Sequence, residues 1–211
     1  MTVVASFFPH SFQSLSRARK RWDVFVMTTS ATSLLDRKYA RRFAMFDVDG
    51  DGYLEAGDFT ELANRLIEGL GAVPDSATAQ RVREGYQDLY AALIREIDTD
   101  GDGRISQREF VAGMARVAGD RAGFSRMIEP LARTNLQLCD ADGDGLLDRP
   151  EFARLLGLFN AVALPSAERI FDRLDTNRDG MLSVAEILDA LCDFYLSDDP
   201  GSPGNLLFGA V

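Results

Sequence analysis

The chain reads as an all-α protein: four helix–loop–helix units in two pairs, forming one compact body with short β bridges between paired loops. Three observations predict this. A twelve-residue pattern recurs four times, starting at Asp47, Asp98, Asp140 and Asp175. Apolar residues flank every copy at i, i+3/i+4, i+7 spacing, which gives each flanking helix one buried face. Position 8 of each copy is aliphatic (Leu54, Ile105, Leu147, Leu182), which suits a short antiparallel pairing between neighbouring loops. An odd loop would leave a strand edge unpaired, so loop one should pair with two and three with four.

Taken in order, residues 1–33 form an extension. Met1 to Val26 holds Arg17, Arg19, Lys20 and Arg21 against a single acid, Asp23. That composition fits a transit segment. It also fits sequence upstream of a start at Met27, or a disordered arm, and the last two are preferred. Trp22 reads as a solvent-tolerant anchor. The first pair of units spans 34–118, with Phe43/Phe46 and Ile94/Ile97 before its loops and Phe59/Leu62/Leu66 and Phe110/Met114/Val117 after them. Gly69, Gly71 and Pro74 stop a helix, and Asp75 or Ser76 can cap a long one running to Ile97. The second pair spans 119–196, with Leu136/Cys139 and Phe171/Leu174 before its loops and Phe152/Leu156/Phe159 and Ile187/Leu191/Phe194 after them. Pro130 within the run predicts a kink. The tail, 197–211, is turn-rich and then apolar at Leu206–Phe208, which either docks on the body or stays disordered.

Each loop carries oxygen-bearing side chains at positions 1, 3 and 5: Asp47, Asp49, Asp51; Asp98, Asp100, Asp102; Asp140, Asp142, Asp144; Asp175, Asn177, Asp179. Position 6 is Gly, which permits a sharp turn. The backbone carbonyl of position 7 (Tyr53, Arg104, Leu146, Met181) supplies a further oxygen, and position 9 (Glu55, Ser106, Asp148, Ser183) another, directly or through water. Position 12 closes the shell with Asp58, Glu109, Glu151 or Glu186. Such a set suits Ca²⁺, a hard ion that takes 6–8 oxygens. Loop one ends in Asp, one methylene short, so its site is expected to be six-coordinate, weaker for Ca²⁺ and more open to Mg²⁺. The expected complement is three or four Ca²⁺ ions.

The net charge is -10, and its placement is informative. The loops hold seventeen acids against four arginines, a net of -13, leaving +3 for the remainder. Metal should therefore stabilise the fold. The acidity argues against nucleic acid as a partner. No apolar run reaches the ~18 residues of a membrane span. Cys139 and Cys192 fall on inward-facing positions and read as small core residues. The single His10 leaves no material for a histidine metal centre or triad. The carboxylates are absorbed by metal ligation, and no phosphate loop or nucleophile elbow occurs, so enzyme activity is not expected.

The four loops, their uneven spacing, and the segments Phe124-Ser-Arg-Met-Ile-Glu-Pro130, Leu138-Cys139-Asp140 and Cys192-Asp193-Phe194-Tyr195 resemble the EF-hand superfamily. Over roughly 34–195 the likeness is to its sarcoplasmic calcium-binding and calerythrin-type members. That resemblance implies a compact, cytosolic, monomeric protein acting as a calcium buffer or transporter. One loop in such proteins is often defective, frequently the second; here loop two is intact and loop one departs. The scarcity of Met on the helix faces favours a buffer over a sensor that exposes a groove to a protein partner.

Overall fold

A computed structural model describes residues 33–160 and 164–208, with side chains at 159, 160, 164 and 165 left aside. The expectations for the first 26 residues, His10, Trp22 and the side chain of Phe159 lie outside the described residues.

Ser33 starts α1 (Leu34–Phe46) with a capping box: its hydroxyl accepts from Asp36 N at 3.0 Å, and the Asp36 carboxylate accepts from Ser33 N at 3.2 Å. Loop one follows, carrying β1 (Tyr53–Leu54), and leads into α2 (Ala56–Leu70). Gly71 ends α2 in the left-handed region at φ 66, where a residue with a Cβ would be strained. Ser76 rather than Asp75 caps α3 (Ala77–Ile97), accepting from Ala79 N at 3.2 Å. Loop two carries β2 (Ile105–Ser106) and leads to α4 (Gln107–Val117). The second half is α5 (Arg121–Cys139), α6 (Arg149–Asn160), α7 (Leu164–Leu174) and α8 (Val184–Leu196), then a 3₁₀ turn at Pro203–Leu206. α5 continues through Pro130.

The loops pair as their aliphatic position 8 requires. β1 and β2 are antiparallel, with Leu54 opposite Ile105 and Tyr53 opposite Ser106. Leu147 and Leu182 form a bridge with reciprocal N–H···O bonds of 2.9 and 2.8 Å. All four position 8 side chains are fully buried. One apolar core runs through all of the described helices, drawing Phe43, Phe110, Phe124, Phe152, Phe171 and Phe194 together. Cys139 and Cys192 are free thiols buried within it.

The tail docks. Leu207 and Phe208 are buried, whereas Leu206 is exposed. Phe208 meets Phe194 edge-on at 4.6 Å, Arg41 Nε donates to its carbonyl, and Arg173 donates to Gly201 O at 3.1 Å. Asn205 Nδ2 donates to the carbonyls of Asp199 and Pro200. Two residues of α1 fasten the end of α8. Lys38 is fully buried and its Nζ donates to Ser197 O at 2.6 Å; Tyr39 donates to Tyr195 O at 2.7 Å. Burial pulls the Lys38 ammonium below its ordinary value, against the nearby carboxylates of Asp193, Asp198 and Asp199.

Candidate metal centres

Each loop is held open by its own carboxylates. In the first three, position 1 accepts from the amides of positions 4 and 6: Asp47 from Gly50 (2.9 Å) and Gly52 (3.2 Å), Asp98 from Gly101 (2.7 Å) and Gly103 (3.1 Å), Asp140 from Gly143 (2.7 Å) and Gly145 (2.9 Å). Both of those glycines have positive φ in every one of the three loops. Loop four differs. Its position 4 is Arg178, a non-glycine residue at φ 60, and Asp175 there accepts from Asp179 N and Gly180 N instead. A side chain in that region costs about 1–2 kcal/mol.

The acid at position 12 ties the two ends of its loop together. Glu109 accepts from Thr99 N (3.1 Å) and Ser106 N (3.0 Å); Glu151 from Ala141 N (2.7 Å) and Asp148 N (2.9 Å); Glu186 from Thr176 N (3.0 Å) and Ser183 N (3.0 Å). Asp58 makes the same two contacts, from Val48 N at 2.9 Å and Glu55 N at 2.8 Å. The shorter side chain therefore still clasps its loop.

This brings acids together. Asp47, Asp49 and Asp58 each offer an oxygen within 4.8 Å of the others, as do Asp98, Asp100 and Glu109, and Asp140, Asp142 and Glu151. The position 5 residues Asp51, Asp102 and Asp144 stand outside these three groups; each turns one oxygen to the amide of position 7 (Tyr53, Arg104, Leu146) at 2.8 to 2.9 Å. In loop four Asp179 does likewise with Met181 N, and Asn177 donates to Asp179 Oδ2 at 2.8 Å. Three facing carboxylates with short reach to one point suit a hard divalent cation, and loops one to three present that set.

Electrostatics favours a cation in loop one and a charged carboxylate in loops two and four. Burial, then the charges of Asp58 and Asp51, push the Asp47 carboxyl up, while the amides of Gly52 and Gly50 oppose. Glu109 is held down at about 2, chiefly by the Ser106 amide and then by the Ser106 hydroxyl and Thr99. Burial works against Glu186, but the donors of Ser183 and Thr176 prevail and lower it.

Some participants were not evident from ligand spacing. The hydroxyls of Thr99 and Thr176, at position 2, donate to Glu109 (2.9 Å) and Glu186 (3.2 Å). Tyr90 on α3 donates to Gly103 O at 2.7 Å and packs on Phe59 at 5.1 Å. The Arg104 guanidinium lies 4.0 Å above the Tyr53 ring across the strand pair. At position 9, Ser106, Asp148 and Ser183 cap the following helix, accepting from Glu109 N, Glu151 N and Glu186 N. In loops two and four, the Thr at position 2 and the Ser at position 9 were the available signal.

Comparison with known proteins agrees with this geometry. A model described as an EF-hand domain pair matches residues 36–115, and an EF-hand model matches 136–156 and 167–190. Calerythrin of Saccharopolyspora erythraea is 29% identical over 78% of this chain and 93% of its own. The sarcoplasmic calcium-binding protein beta chain of Penaeus sp. is 27% identical over 82% of this chain and 94% of its own. A solved Streptomyces coelicolor calcium-binding protein, studied for prokaryotic calcium-mediated regulation, superposes with a TM-score of 0.68 at 31% identity, covering 77% of this chain and 98% of that one.

Proposed function

The chain belongs to the EF-hand family of calcium-binding proteins, and from that premise we propose that it acts as a calcium buffer. The ions would be held by the residues at positions 1, 3, 5, 7 and 12 of its loops, the position 7 residue through its carbonyl. In loops one to three the clustered acids (Asp47, Asp49, Asp58; Asp98, Asp100, Glu109; Asp140, Asp142, Glu151) would lead, with the position 5 side chain swinging in. Loop four would bind through Asp175, Asn177, Asp179 and Glu186, and Asp58 leaves loop one as the site open to Mg²⁺.

One observation carries the buffer reading: the helix faces are already covered. Among the described residues only Val73 and Leu206 are large apolar side chains standing exposed. Leu207 and Phe208 cover part of the surface that a partner helix would need. The protein therefore takes up ions without presenting a new apolar surface, and it performs no catalysis. Residues 34–118 and 119–196 act as the two loop pairs of a cytosolic monomer.

A second reading, a sensor that opens a groove for a protein partner, draws on the Streptomyces coelicolor relative and its link to calcium-mediated regulation. A hydrophobic-dye titration separates the two. For a buffer, dye fluorescence falls when Ca²⁺ is added, because the metal-free form is the looser one. A rise in fluorescence on adding Ca²⁺ would establish the sensor instead.

A further inference from the structure

Between the two loop pairs lies a cavity of about 120 Å³, lined from α1, α3, α4, α5, α6, α8 and the tail. It is on the scale of the engineered apolar cavities of about 150 Å³ that stay dry and take up benzene. Among the described residues, only Arg42, Asn135 and Tyr195 bring polar side chains to its wall. Tyr195 is engaged, since its hydroxyl accepts from Arg42 Nε at 2.9 Å. The other two have capacity left.

Arg42 is half-buried, its guanidinium 4.0 Å from the centre of the Phe46 ring and 4.4 Å from that of Phe208. Its Nη1 reaches Met45 Sδ at 3.9 Å, a weak contact, and among the described residues Nη2 has no acceptor and no carboxylate lies within ion-pair distance. A guanidinium does not shed its proton, so this wall carries a fixed positive charge against apolar surface. The donors of Arg match a carboxylate in a fork. Across the same lining, Asn135 Oδ1 is buried and lacks a hydrogen-bond donor among the described residues. An acceptor left in that state calls for a donor from whatever enters.

We propose that this cavity binds a small hydrophobic carboxylate of about one ring. Its carboxylate meets Arg42, its ring fills the space beside Phe46, Phe110 and Phe152, and a hydroxyl or amine on it donates to Asn135. Size excludes a peptide helix, and charge complementarity selects an acid over a neutral ring. None of the loop oxygens takes part, so the site stands apart from the calcium proposal.

Calorimetric titration of the full chain with 4-hydroxybenzoate, and separately with its neutral amide 4-hydroxybenzamide, tests the assignment at fixed Ca²⁺. The acid should bind one to one and at least about tenfold tighter than the amide. Arg42→Gln should erase that preference while leaving amide binding in place. Leu131→Trp, which fills the cavity from α5, should abolish both and keeps the test decisive if the Arg42 variant fails to fold. No binding of either probe, equal binding of the two by the unaltered chain, a preference retained in Arg42→Gln, or binding retained in Leu131→Trp would each overturn it. Calcium titrations of the same samples report on the loops separately.

Discussion

Replacing Gly204 by alanine is expected to undock the tail. A Cβ at this position would collide with the carbonyl oxygen of Ala190 and lie 2.6 Å from Phe194 N and 2.8 Å from Asp193 Cβ. Two of these are backbone atoms of α8, which packing holds in place, so the tail must give way. Leu207 and Phe208 then lose burial worth about 1.5–3 kcal/mol each. Phe208 also loses the Phe194 ring at 4.6 Å and the Arg42 guanidinium at 4.4 Å. The freed segment regains conformational entropy, which leaves a net loss of about 2 kcal/mol. In a domain of this size that lowers Tm by about 4–8 °C. Thermal melting at saturating Ca²⁺ reads the loss, and limited proteolysis after Gly201 reads the undocking. Gly201→Ala serves as control, because its nearest neighbour is the movable Asp199 carboxylate at 3.3 Å. If Gly204→Ala melts within about 1 °C of the parent and its tail stays protected, the packing argument is wrong.

Three further outcomes are expected. Gly113→Ala places a Cβ 2.6 Å from Ile97 Cγ2 and 2.8 Å from its Cγ1, so overpacking of about 1–3 kcal/mol outweighs the helix-propensity gain; in a denaturation series the same substitution should cost less in an Ile97→Ala background, which lacks both of those carbons. Asp58→Glu should tighten Ca²⁺ at loop one about tenfold, read by terbium luminescence sensitised by Tyr53, and an unchanged titration counts against the short-ligand account. Burial pushes the Tyr39 phenol up to about 12 from its ordinary 10.0. The neutral form is the one the fold favours, so this contribution is complete below pH 10 and is lost as pH rises towards 12. Denaturant unfolding across that window should show the decline, and Tyr39→Phe should make it shallower, the remainder belonging to Tyr86 and Tyr195, whose phenols burial also raises.

Much of the metal chemistry was legible because it is local. Twelve consecutive residues carry the ligands, the turn glycine and the aliphatic residue whose partner is the next loop, so the pairing of Leu54 with Ile105 and of Leu147 with Leu182 followed from position alone. What escaped depends on distant chain. A lysine ordinarily signals surface, yet Lys38 is fully buried because Ser197, far along the sequence, brings a carbonyl to its ammonium. Ser106 and Ser183 suit a metal shell and a helix cap equally well by residue type, and they serve as caps here. The tail was ambiguous because its docking rests on Gly204 fitting against α8, a close approach that composition does not encode. Loop four looked regular in spacing, but Arg178 takes the left-handed position that glycine fills in the other three loops.

The loops take up calcium as a set. Calorimetric titration of the full chain with Ca²⁺, with and without millimolar Mg²⁺, addresses it directly. At least three Ca²⁺ ions per chain are expected, with Mg²⁺ weakening the Asp47–Asp58 site most. Two ions or fewer, or Mg²⁺ competing equally at every site, would contradict it.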